Sequence, residues 1–181
     1  MSLLLATLLP GIFLVLLGAL LLWNHSIVES AARALPRSSV AAWLFFGLGA
    51  IWFIWRLSHL GESDLIFFKT PKPVMIAFAL LAVLSIFFTP DFLAVRGLCV
   101  LMLLAAEPLL FSAYMEYQHP QRLLMVTAVY LGLGAALYLA AAPYRLRDFF
   151  EWLFRLPTRP RVVGAVVLGY GLATTAAAFT Y

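Results

Sequence analysis

Long unbroken apolar runs alternate with short polar connectors along this chain, and the apolar positions are continuous where a half-buried strand would alternate. Runs of this length match about 30 Å of hydrocarbon. Backbone amides at that depth have no water to bond with, so each run is expected to be helical. The pattern predicts six membrane spans, at about 3–23, 40–57, 73–89, 92–115, 122–142 and 162–180. Spans two and three are short and are expected to stand nearly upright. Continuous runs exclude a transmembrane barrel, whose strands alternate in polarity.

Two connectors carry a helical period of their own. In residues 144–156, YRLRDFFEWLFRL, a helical wheel gathers Arg147, Asp148, Glu151 and Arg155 on one arc, with Leu146, Phe149, Phe150, Leu153 and Leu156 on the other. Arg147, Glu151 and Arg155 are spaced for successive i,i+4 pairs. Residues 25–35, HSIVESAARAL, divide in the same way, less sharply. Both predict amphipathic helices lying in the headgroup plane, with apolar faces toward the acyl chains. Each also follows a long span, ends in Leu-Pro and leads into a span holding Gly-x-Gly, at Gly47-Leu48-Gly49 and Gly169-Tyr170-Gly171. The middle spans have a reduced version at Thr89-Pro90-Asp91. The expectation is an internal repeat of three helical hairpins within one transmembrane domain, residues 1–181, of an all-α membrane protein.

Composition agrees. Of 181 residues, 65% are hydrophobic and 11% charged, and the mean hydropathy of +1.01 leaves too little polar surface to cover a water-soluble globule. The net charge of +4 does not point to nucleic acid, because the basic residues sit at span ends. They read as topology signals. The first, third and fifth connectors with their flanks hold Arg33, Arg37, Arg96, Arg145, Arg147, Arg155, Arg159 and Arg161, which is eight; the other side holds Arg56, Lys69, Lys72 and Arg122, which is four. Both termini are therefore expected outside the cytoplasm of a cell (inner) membrane. The first run has no basic flank and no small-x-small cleavage site, so it is read as a span and not a cleaved signal. Asn24-His25-Ser26 fits a glycosylation acceptor but falls on the cytoplasmic side. Tryptophans and tyrosines at the predicted interfaces, Trp23, Trp43, Trp55, Tyr114, Tyr117, Tyr144 and Trp152, form the expected aromatic belts. Cys99 lies inside a span and reads as a buried, inert thiol.

Candidate chemistry is sparse. Gly-x-Gly, including Gly132-Leu133-Gly134, never follows a strand, so a dinucleotide site is excluded and the small residues read as packing positions, as along Ala165 and Gly169 or Ala173 and Ala177. The exception to the apolar rule is Glu107, followed by Pro108. Arg96, Val100, Leu103, Glu107, Phe111 and Tyr114 share one helix face. Arg96 is about 16 Å from Glu107 along the axis, too far to pair. Pro108 removes an amide and frees the Leu104 carbonyl. Glu107 is expected either to be tied up structurally, by that carbonyl, by Thr127, Tyr130 or Tyr170 or by a partner subunit, or to serve as a proton-coupling carboxylate.

A weaker cluster gathers His59, Glu62, Glu116 and His119, with Asp64 nearby, on the outer side as possible metal ligands. The segment LIFFKTPKP that starts at Leu65 is expected to rest on the outer interface or dock to another protein. Arg147, Arg155, Arg159 and Arg161 are expected to meet anionic lipid headgroups. No nucleophile sits beside a base, and no cofactor is indicated. The reading that fits best is a non-catalytic accessory or structural subunit of a membrane complex, partnered by lipid and by other subunits or copies of itself. The alternative is a small proton-coupled transporter or channel using Glu107, and a more remote third is a membrane metalloenzyme.

Overall fold

A computed structural model of the chain describes residues 1–61, 70–88 and 91–181, and among these the regular structure is helical throughout. Eight α-helices follow one another: α1 (Leu3–Trp23), α2 (Ser26–Ala34), α3 (Ser39–Ser58), α4 (Lys72–Phe88), α5 (Leu93–Ser112), α6 (Arg122–Ala141), α7 (Tyr144–Leu153) and α8 (Thr158–Ala178), with a short 3-10 turn, Leu35–Arg37, between α2 and α3. Five of them, α1, α3, α5, α6 and α8, are long and apolar enough to cross a membrane, while α4, at 17 residues, is apolar but shorter. Their outward surface is greasy, with Phe13, Ile51, Leu131 and Val166 all well exposed, as a bilayer-embedded chain requires.

Local chemistry explains the ends. Ser2 caps α1, its hydroxyl accepting the Leu5 amide, and Asn24 closes that helix in the left-handed conformation. The His25 ring accepts the Ile27 amide at the start of α2, and the Ser38 hydroxyl accepts the Ala41 amide at the start of α3. α5 stops at Ser112, shorter than its apolar run, because the chain turns through Tyr114 to a left-handed Met115. α8 begins at Thr158, before its apolar run does; Pro160 is tolerated because a first-turn amide has no intrahelical partner. α7 ends at Leu153, three residues short of the expected 156, as Pro157 disfavours helix at the residue before it.

Packing follows small residues, not sequence neighbours. α1 lies along α8 in antiparallel sense: a Cβ at Gly18 would stand 2.5 Å from the Leu168 amide nitrogen, one at Gly171 2.6 Å from that of Val15, and one at Gly164 2.8 Å from that of Leu22. Only glycine permits this approach. The working stripe on α8 is thus Gly164, Gly171, Thr174 and Ala178. Of the positions expected to pack there, Ala165, Gly169 and Ala173 are exposed and only Ala177 is buried. α3 and α5 are joined in the same manner, Gly97 against Phe46 and Gly49 against Val100, but in parallel. α5 then packs along α6.

The strongest contacts therefore do not trace three sequential hairpins. Lipid tails give apolar faces no reason to prefer a sequence neighbour, so steric fit selects the pairs. The core lies where α1, α5 and α6 meet, at Ala6, Ala106, Ala113, Met125 and Val129, with a second cluster of Val95, Cys99 and Ala136 between α5 and α6. Cys99 is buried there, as the sequence implies. Both chain ends lie together, the Thr7 hydroxyl donating to that of Tyr181 at 3.1 Å.

Candidate functional site

Glu107 meets a cation that the sequence marked only for topology. A guanidinium nitrogen of Arg56, in the last turn of α3, donates to Glu107 Oε1, forming an ion pair between the two helices. Parallel packing of α3 and α5 makes this possible: Phe46 faces Gly97, Gly49 faces Val100, and continuing the same register brings Arg56 to Glu107. The face of α5 that carries Val100 and Glu107 is thus the α3 interface. Of the expected neutral partners, Tyr170 donates instead to the Leu124 carbonyl at 2.7 Å, and Tyr130 is exposed. Glu107 lies five residues before the end of α5, about 7.5 Å along the axis, so it stands near one end of the helix and not at mid-depth. The side chains are 45% and 59% exposed, so in water such a pair would contribute only about 0–1 kcal/mol. Beside hydrocarbon its main effect is to cancel two charges.

The other members of that face stay apart from the pair. Arg96 is half-buried in the first turn of α5, and Tyr114 is exposed beyond its last turn. Pro108, unlike Glu107, lines an open groove of about 850 Å³ between the α1/α8 pair and the α5/α6 pair. Pro10, Trp52, Ala106, Gly132 and Tyr170 are among its lining residues, and the wall is almost wholly apolar. Glu107 does not line it.

At the outer cluster, His59 interacts with the Trp55 carbonyl and the Ser58 hydroxyl, and the His119 ring packs edge-on against Tyr181 at 5.3 Å. Glu116 is half-buried and accepts the His119 amide through its own backbone carbonyl. Glu62 and Asp64 lie outside the described residues, as do most of the LIFFKTPKP segment and Thr89-Pro90. Among the described residues no three histidine, cysteine or acidic side chains come together to hold a metal ion.

At the opposite end, Arg147 bonds Asp148 at 2.9 Å and approaches Glu151 at 3.6 Å; its hydrogen bond with Asp148 pushes the guanidinium pKa above its ordinary value. The first of the two expected i,i+4 pairs thus forms, whereas Arg155 lies beyond the end of α7 without that partner. In α2, Glu29 pairs with Arg33 at 2.9 Å. Arg159 donates to the Trp152 carbonyl at 2.8 Å, its guanidinium 4.7 Å from the indole centroid, and Arg161 is exposed. The belt residues Trp23, Trp43, Trp55, Tyr114, Tyr117, Tyr144 and Trp152 are all exposed, at or near helix ends. The sequence puts Arg56 and the Glu107 end of its span on the same side, but does not show that α3 and α5 touch; the use of Arg56 as a topology marker hid the pair.

Searches with the chain against protein-family models, curated proteins and solved structures find no match.

Proposed function

We propose that this chain is a non-catalytic integral membrane subunit, a helical scaffold that packs within a larger membrane assembly. The Arg56–Glu107 pair carries this reading: the carboxylate set within the spans is committed to a neighbouring helix. α4 supports the partnership, because it buries none of its residues within the chain and rests lightly on α3.

The reading includes a sixth crossing. α3 and α5 run parallel, so the chain has to return through the full depth between them, and α4 lies on that return. Its 17 residues span about 25 Å, close to the hydrocarbon thickness of a thin bilayer. α2 and α7 then lie in the headgroup layer on the arginine-rich, cytoplasmic face, with both termini on the other side. The chain sits in a cell (inner) membrane.

Two measurements on the full chain test the proposal. Extraction in mild detergent should bring down a stoichiometric membrane partner. Reconstituted alone in liposomes carrying a pH-sensitive dye, the protein should add no proton flux over protein-free vesicles. A pH-driven flux that Glu107→Gln abolishes at unchanged abundance would replace the subunit with the proton-coupled carrier.

A further inference from the structure

Most acids of the described chain are matched by an arginine. Glu29 meets Arg33, Glu107 meets Arg56, and Asp148 and Glu151 share Arg147. Asp91, two residues ahead of α5, meets none among the described residues. A helix start favours a carboxylate, yet no amide of the first turn of α5 donates to it.

Arg37 is left over in the same way. Its guanidinium lies 5.7 Å from the Phe92 ring centroid and forms no ion pair among the described residues. Arg37 and Asp91 nevertheless line one pocket of about 360 Å³, where the Leu35–Arg37 turn and the start of α3 meet the end of α4 and the start of α5. They share a wall without pairing. Between them stands Phe92, held at a left-handed φ of 57°, a conformation that a bulky side chain adopts only where its surroundings impose it and that gathers at ligand sites. The Ser39 hydroxyl on the same wall is uncommitted, because Ser38 is the residue that caps α3.

The two free charges define what fits. An anion alone would be opposed by Asp91 and a cation alone by Arg37, whereas a molecule carrying both signs a few ångströms apart satisfies each. Depth narrows the choice further. α3 and α5 both begin at this pocket, so it stands at the headgroup level of a bilayer that they cross, with Trp43 on its wall as an interfacial aromatic. The volume equals that of about twelve waters, enough for a phosphate and a short amine tail. We propose that the pocket binds the zwitterionic headgroup of a phosphatidylethanolamine, the phosphate meeting Arg37 and the Ser39 hydroxyl and the ammonium donating to Asp91. Phosphatidylcholine has no N–H for that carboxylate, and phosphatidylglycerol has no cation. The site needs only that α3 and α5 cross the membrane, so it stands whether the chain is a subunit or a carrier.

Full-length protein in mild detergent is titrated with short-chain phosphatidylethanolamine, phosphatidylcholine or phosphatidylglycerol, and apparent affinities are read from the shift of its thermal unfolding. Phosphatidylethanolamine should bind about fivefold more tightly than either of the others, the upper range for one exposed ionic contact. Arg37→Gln should weaken all three lipids, which share the phosphate. Asp91→Asn should abolish the preference while leaving binding of phosphatidylcholine intact, and Arg161→Gln, an exposed arginine outside the pocket, should change neither. If Asp91→Asn does not fold, successive N-methylation of the ethanolamine lipid tests the same contact on the wild type, with affinity expected to fall at each methyl. Equal affinities for the three lipids, a preference that survives Asp91→Asn, or a flat methylation series overturns the proposal. Equally tight binding of water-soluble glycerophosphoethanolamine overturns the lipid as its occupant.

Discussion

Glu107 and Arg56 each carry a charge that hydrocarbon disfavours, and each is made tolerable by the other. Replacing either one alone leaves the remaining charge unpaired, so Arg56→Gln and Glu107→Gln should each destabilise the protein, and the double variant should cost less than their sum. With both side chains about half exposed, the coupling is expected at about 0.5–1 kcal/mol in a double-mutant cycle of thermal unfolding in detergent. Strict additivity would mean that the two groups do not act on each other. The glycines divide in the same residue-level way. Gly164→Leu drives a side chain into the α1 backbone and should cost about 1–3 kcal/mol or separate the pair, whereas Gly169→Leu points into open space and should stay within about 0.5 kcal/mol. Equal losses at both positions would contradict the stripe described for α8.

Between elements, what the sequence revealed and what it hid have a common cause. Span positions were legible because hydrocarbon thickness sets a length that any unbroken apolar run betrays, and α1, α3, α4 and α6 fall within a residue of their expected limits. Pairing was not legible. Leu faces Leu and lipid alike, so α1 chose α8 through Gly11, Gly18, Gly164 and Gly171, positions no hydropathy window distinguishes from Gly169. Arg56 stayed hidden for a related reason: its meaning depends on α3 and α5 being parallel neighbours, which only packing reveals. The amphipathic pattern of residues 144–156 did mark a helix, and its place in the headgroup layer can be measured. With the other tryptophans changed to Phe, Trp152 fluorescence should be quenched by lipids brominated near the headgroup. Quenching only by aqueous iodide would place α7 in water.

At the scale of the molecule, five helices among the described residues satisfy the length and hydropathy needed to cross a bilayer, an odd number that by itself would send the chain ends to opposite faces. On the proposed reading, the contact between Thr7 and Tyr181 and the parallel run of α3 and α5 favour an even number instead, with α4 as the sixth crossing. On that reading both ends share one face, and the arginine excess around α2 and α7 makes it the outer one. Cysteine accessibility in right-side-out vesicles tests it most directly, using single cysteines placed at Ser2, Thr180 and Arg155 in a chain with Cys99→Ala. A membrane-impermeant maleimide should label Ser2→Cys and Thr180→Cys in sealed vesicles, and Arg155→Cys only after permeabilisation. Labelling of just one of the two ends in sealed vesicles would contradict it.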